Sequence, residues 1–247
     1  MDLISALVVL FLGFLGSFIG AIAGSGGMLT IPALIFAGLP ANVAIATNKF
    51  GTIGLSLGAM TKYLRKGLVQ WQITVPLIAI SIVGAFIGAQ ILLAVEPSSL
   101  DRFTGITILL LLPFLFFDKD KGLKSRGVST SSKVMGYWLY FFLTIYSGFF
   151  GAGSGTLMIY VMIFFFGMSI LELNATTILP TCVLSVATFI IYAYYGIVDY
   201  TYGAILFVGT IAGGYFGART AVKKGNAWIK FVFALIVLLA AIKLIFL

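Results

Sequence analysis

The residues of this chain that could do chemistry are few, polar and duplicated. Ala23-Gly24-Ser25-Gly26 returns as Ala152-Gly153-Ser154-Gly155, and Ala46-Thr47 returns as Ala175-Thr176, each 129 residues later. Glycines at three of the four positions Gly24-Ser25-Gly26-Gly27 break a helix, because each costs about 1 kcal/mol relative to alanine in a helix interior. A helix that restarts after such a break presents free N–H groups and a partial positive charge, which suits an anion. Ser25 and Ser154 add hydroxyl donors at the same place. The first candidate substrate-binding set is therefore Gly24, Ser25, Gly26 and Gly27 with their partners Gly153, Ser154, Gly155 and Thr156. The competing reading, close helix packing, fits Gly13, Gly16 and Gly20 and the spaced pairs Gly84/Gly88 and Gly213/Gly217 better.

A second set lies several residues into the following apolar segments: Thr47, Asn48 and Lys49 in the first copy, Thr176 and Thr177 in the second. A lysine inside an apolar span costs about 2.5–3.5 kcal/mol on insertion scales, so it ordinarily faces a cavity and has a function. Lys49 answers to Ile178 in the second copy, so any role of its charge is asymmetric. Two other readings compete: Lys49 reaching the outer headgroups, and the Thr and Asn side chains bonding helix to helix. Glu172, in a turn of the second copy, reads as a solvated carboxylate or a proton acceptor. The chain has no histidine and a single cysteine, Cys182. Haem ligation by histidine and His-based hydrolysis are excluded, and no His/Asp/Glu cluster lies within a span to do acid–base or metal work. No catalytic residue, metal ligand or cofactor is expected.

The elements that must position these residues are membrane helices. Apolar residues make up 61% of the chain and charged residues only 9%, where a soluble domain has roughly 25% charged. Charges and turn residues cut the sequence into apolar segments at 3–23, 28–39, 42–62, 71–94, 103–117, 134–151, 157–168, 171–195, 200–219 and 228–246. Most approach the ~20 residues that cross a bilayer. Segments 28–39 and 157–168 are shorter, and each directly follows a Gly-Ser-Gly break. Paired short segments of this kind point to a transporter's binding site.

Residues 23–92 and 152–221 align without a gap, including Thr52/Thr181, Ser56/Ser185, Tyr63/Tyr192 and Gly67/Gly196. This predicts repeat 1 over 1–117, a cytoplasmic and mobile linker over 118–133, and repeat 2 over 134–247. Most basic residues fall in three clusters: Lys62/Arg65/Lys66, Lys119–Lys133 and Arg219–Lys230. The positive-inside rule puts all three in the cytoplasm only if both short segments carry the chain across. Each repeat then has an odd number of spans. The expected fold is an all-α polytopic integral membrane protein, a helical bundle of two homologous repeats in an inverted 5+5 arrangement. The net charge of +8 sits in short loops and is no signal for nucleic acid.

The Gly-x-Gly-Gly break, Pro32, the Gly38-Leu39-Pro40 turn, Ala46-Thr47-Asn48-Lys49 and the basic loop Tyr63-Leu64-Arg65-Lys66-Gly67 resemble the sulfite exporter family TauE/SafE over essentially the whole chain. In the second copy Thr156 replaces a glycine and Val161 stands opposite Pro32. The resemblance implies a multi-pass secondary transporter of the cell (cytoplasmic) membrane that moves small sulfur-containing anions such as sulfite or sulfoacetate, mostly outward, by alternating access around a midplane anion site. The partners expected are the anion and the lipid bilayer, with a homodimer possible in principle and no nucleic acid. An anion channel or a non-transporting membrane subunit is the alternative. No nucleotide-binding loop is present, so the driving force would be the anion's gradient, protons or the membrane potential.

Overall fold

The structure, a computed structural model, describes residues 3–24, 26–96, 122 and 124–229. Among these there is no β-strand, and the order of elements is α1 (Leu3–Ala23), α2 (Gly27–Phe36), α3 (Ala41–Tyr63), a 3-10 turn (Leu64–Lys66), α4 (Trp71–Ala94), α5 (Thr130–Phe149), α6 (Ser154–Phe166), α7 (Ile170–Tyr194) and α8 (Tyr200–Lys224). The chain is an all-α membrane protein: α1, α4, α7 and α8 are long and apolar enough to cross a bilayer. The expected segment 103–117 and nearly all of 228–246 lie outside the described residues.

The duplication is visible in the backbone. Moving 129 residues along the chain takes α1 to α5, α2 to α6, α3 to α7 and α4 to α8. The breaks between them fall on paired glycines with left-handed backbone, Gly24/Gly153 (φ 76° and 74°), Gly38/Gly167 (96° and 68°) and Gly67/Gly196 (70° and 69°). That region is costly for residues with a Cβ, so the turns survive in both copies where glycine does. Each short helix folds back along the helix before it. A Cβ on Gly26 would lie 2.8 Å from the Gly16 carbonyl, and Ser154 Oγ lies 3.2 Å from Ser147 Oγ.

The two repeats exchange their fourth helices. α8 packs along α1 and α3 of the first repeat, and α4 packs along α5 and α7 of the second. Small residues allow the approach: a Cβ on Gly58 would stand 2.2 Å from the Ile211 carbonyl, one on Gly213 would stand 2.2 Å from the Phe14 carbonyl, and one on Gly88 would stand 2.2 Å from the Ile145 carbonyl. The result is two mixed bundles, α1/α3/α8 and α5/α7/α4, which meet where α3 touches α7. An apolar core joins Ile22, Tyr63, Leu77, Tyr140, Met162 and Leu173 from both repeats.

Two reciprocal hydrogen bonds tie the fourth helices in place. The backbone N–H of Asp199, just before α8, donates to Thr47 Oγ1 at 3.0 Å, and the N–H of Gln70, just before α4, donates to Thr176 Oγ1 at 3.2 Å. Gln70 and Asp199 are themselves repeat partners. Because Thr47 is near the start of α3 and Asp199 follows the end of α7, α3 begins where α7 ends. Gln70 follows the end of α3 and Thr176 is near the start of α7, so the two helices run in opposite directions. α3 and α8 run side by side, with the Lys62 ammonium 4.4 Å from the centre of the Tyr215 ring. The basic ends of α3 and α8 therefore share one end of the bundle.

The linker departs from expectation. Helix α5 begins at Thr130, ahead of the predicted 134, and the stretch before it is docked rather than mobile. The Arg126 N–H donates to the Gly167 carbonyl at 2.8 Å, and the Ile170 N–H donates to the Gly122 carbonyl at 2.9 Å. Ser125 Oγ donates to Glu172. The turn between α6 and α7 leaves helix-end backbone groups without partners, and the linker supplies them. Glu172 also closes a capping box with Ser169 at the start of α7, which gives this carboxylate a structural task.

Replacing Thr47 or Thr176 by Val leaves a buried N–H of the other repeat without its acceptor, and each should cost about 1–2 kcal/mol. Thermal unfolding in detergent should show comparable losses for both variants; a loss for one alone would contradict the reciprocity.

Candidate functional site

The two breaks cross at the centre of the molecule. A Cβ built on Gly24 would lie 2.6 Å from the backbone of Gly155, and one on Gly155 would lie 1.7 Å from the Gly24 carbonyl oxygen. Neither position has room for a side chain. Around this crossing is a cavity of about 110 Å³. Its walls come in repeat pairs, Gly26 with Gly155, Asn48 with Thr177, Lys49 with Ile178, Thr52 with Thr181 and Leu55 with Leu184. The cavity therefore lies on the pseudo-twofold relation between the copies.

Its polar chemistry follows from the ends of α1 and α5. The last four carbonyls of a helix have no partner within it, and in an apolar interior they must find one. At the end of α1, Tyr63 donates its hydroxyl to the Ala21 carbonyl at 2.5 Å, and Asn174 Nδ2 donates to the Ile22 carbonyl at 3.0 Å. At the end of α5, Tyr192 donates to the Gly148 carbonyl at 2.7 Å, and the Lys49 ammonium donates to the Ser147 carbonyl. Tyr63 and Tyr192 are repeat partners. The second donor differs, an amide at one end and an ammonium at the other, and each comes from the repeat opposite to the helix it caps.

Lys49 is only 3% exposed. Among the described residues its partner is a neutral carbonyl and not a carboxylate, so its charge is not cancelled internally. An ammonium has three donors, and the contact to Ser147 uses one. Ser154 lies beside it, with Oγ donating to the Gly151 carbonyl at 2.7 Å. Asn48 accepts from Thr30 Oγ1 at 2.5 Å, and its Nδ2 is 3.7 Å from where a Cβ on Gly27 would be. The cavity is thus positive and donor-rich near α5, and apolar where Ile178, Ile159 and Leu173 line it.

Of the residues singled out from sequence, Gly24, Gly26, Gly27, Asn48, Lys49, Ser154, Gly155 and Thr177 line this cavity. Thr47 and Thr176 do not; they form the joints between repeats described above. Gly153 is the left-handed residue before α6, and buried Thr156 follows in its first turn, its N–H donating to the Gly153 carbonyl at 3.1 Å. Ser25 lies outside the described residues. Reasoning from sequence left out of the site Ser147, Gly151, Tyr63, Asn174, Thr52, Thr181 and Ser185. The duplication marks Tyr63, Thr52, Thr181 and Ser185, each identical to its repeat partner. Ser147 and Gly151 carry no such mark, since Phe18 and Ile22 stand opposite them. Among the described residues no grouping of His, Cys, Asp or Glu could hold a metal ion.

Comparison with known proteins gives one consistent result. Residues 9–244 match the family model described as Sulfite exporter TauE/SafE. A "Probable membrane transporter protein" of Haemophilus influenzae is 29% identical over 92% of this chain and 89% of its own length. A "Probable membrane transporter protein ORF9" of a Sinorhizobium species is 31% identical over 94% and 89%. The "Probable membrane transporter protein YfcA" of Escherichia coli K12 is 28% identical over 97% and 89%. No solved structure matches the chain significantly.

The crossing gives a direct test. Gly155→Ala puts a methyl group into the Gly24 carbonyl and should cost more than about 3 kcal/mol, beyond ordinary overpacking. Gly127→Ala, where a Cβ meets nothing within 4 Å, should leave the melting temperature in detergent unchanged. Equal melting temperatures for the two variants would rule out the crossing as described.

Proposed function

The chain belongs to the sulfite exporter TauE/SafE family and is a membrane transporter rather than an enzyme, and we propose that it exports a small sulfur-containing anion, such as sulfite or sulfoacetate, across the cytoplasmic membrane. The observation that carries this reading is the buried Lys49 ammonium, bonded to a neutral carbonyl inside a cavity where two broken helices cross. An oxyanion head takes the free donors of Lys49, Asn48 Nδ2 and the hydroxyls of Ser154 and Thr177. Charge-assisted bonds of this kind are roughly twice as strong as neutral ones. Thr47 and Thr176 act at a distance, by holding the helices that form the walls.

In this reading the protein is multi-pass in an inverted 5+5 arrangement, with α2 and α6 counted as crossings and the basic end in the cytoplasm. The opposite courses of α3 and α7 support the inversion. Access alternates as the two mixed bundles rock about their seam, which contains the cavity. The moving bodies are then not the two sequence repeats, since α4 travels with the second and α8 with the first.

Purified protein in liposomes should take up radiolabelled sulfite or sulfoacetate saturably and show counterflow. Ion conductance without counterflow would favour a channel, and failure of every anion tested to bind or move would refute the proposal. Lys49→Gln should weaken anion binding at least tenfold; unchanged affinity would remove Lys49 from the site.

Cross-linking separates the two ways of moving. In a Cys182→Ser background, a bridge between Lys62→Cys and Tyr215→Cys joins the repeats within one bundle and should leave transport intact. A bridge between Thr52→Cys and Thr181→Cys spans the seam and should stop it until reduced. Arrest by the first bridge would mean that the repeats themselves are the moving bodies.

A further inference from the structure

A charge fixed in the wall of a carrier decides which half of its cycle the membrane potential can act on, and the cavity holds such a charge. The argument rests on the reading of this cavity as an anion site. Lys49 stands at the end of α5 with its ammonium on the Ser147 carbonyl. Among the described residues it is the one formally charged side chain that lines the cavity, the polar remainder being hydroxyls and amides such as Asn48, Thr52, Thr177 and Thr181. A carbonyl partner bonds the ammonium without cancelling it, so the empty site has one net positive charge. A univalent anion that binds there brings that charge to zero.

We infer that the loaded site passes through the membrane field as a neutral unit, and that the membrane potential acts on the return of the empty carrier, through the Lys49 ammonium. The sign agrees with export. With a negative interior, a positive empty site is drawn from its outward-facing to its inward-facing state. One full cycle still moves one negative charge outward. A charge that crosses the whole field is worth about 50-fold in the orientation equilibrium at about 100 mV, and that is the upper limit of the effect. Ile178, which faces the cavity from the corresponding place in repeat 2, adds no charge, so the asymmetry between the copies sets the valence of the site.

The test uses the full-length protein in liposomes, with potassium gradients and valinomycin setting the potential. The probe is radiolabelled sulfite in mildly acidic buffer, where it is chiefly the univalent hydrogen sulfite ion. Exchange of labelled for unlabelled anion uses only the loaded form and should be insensitive to voltage. Net efflux requires the empty carrier to return and should change several-fold with voltage. Lys49→Gln should reverse the pattern, since its loaded site has one negative charge and its empty site none. Lys49→Arg, which keeps the charge, should retain the wild-type pattern.

Should Lys49→Gln not fold or transport, the wild-type pair of measurements decides alone. Voltage-sensitive exchange, or net efflux as insensitive as exchange, overturns the assignment and leaves the carrier reading standing. No flux of either kind refutes the carrier reading, and this inference with it.

Discussion

A helix that stops inside an apolar medium leaves carbonyl oxygens without partners, and the rest of this molecule is arranged around that constraint. α1 and α5 both end at glycine breaks, and water is not there to satisfy them. Tyr63 and Asn174 serve one end, Tyr192 and Lys49 the other. Supplying those donors requires the ends of α3 and α7, and the opposite repeat, to converge on each break. The cavity is the space enclosed by that convergence. Its one charge is there because one of the four donors is an ammonium.

The same logic separates what the two copies share from what distinguishes them. The shared features are geometric: the left-handed glycines, the capping tyrosines, and the threonines that accept the N–H before each fourth helix. They keep two diverged sequences in one shape. The differences lie on the cavity wall, Lys49 opposite Ile178 and Asn48 opposite Thr177. Symmetry builds the container and its local failure gives the container a polarity. One repeat supplies an ammonium to the other's helix end, where an amide travels the opposite way.

Much of this architecture was legible in the chain. Composition placed it in a membrane, the gapless duplication placed its elements, and the breaks pointed to the region where the cavity lies. Within the second polar set, however, sequence could not separate Thr47 from Asn48 and Lys49. Consecutive residues on a helix point about 100° apart, so neighbours in sequence part company. Thr47 turns to Asp199 while Asn48 and Lys49 turn to the cavity. Ser147 acts through its main-chain carbonyl, which any residue would provide, so no side-chain signal exists to find it. The docking of the linker was hidden for the same reason: Arg126 and Gly122 hold the α6–α7 turn with backbone groups.

The exchange of fourth helices also bears on how the protein is made. Chains leave the ribosome N-terminal end first, so α4 is complete before α5 and α7, the helices it packs against, have been synthesised. It must wait in the membrane with its Gly84 and Gly88 face uncovered, and the Gln70 N–H has no Thr176 to receive it. α8 emerges last and finds α1 and α3 already present. Assembly therefore cannot proceed one repeat at a time. The first half remains an unfinished surface until the second arrives, and a chain truncated between the copies would be two incomplete bundles rather than half a transporter.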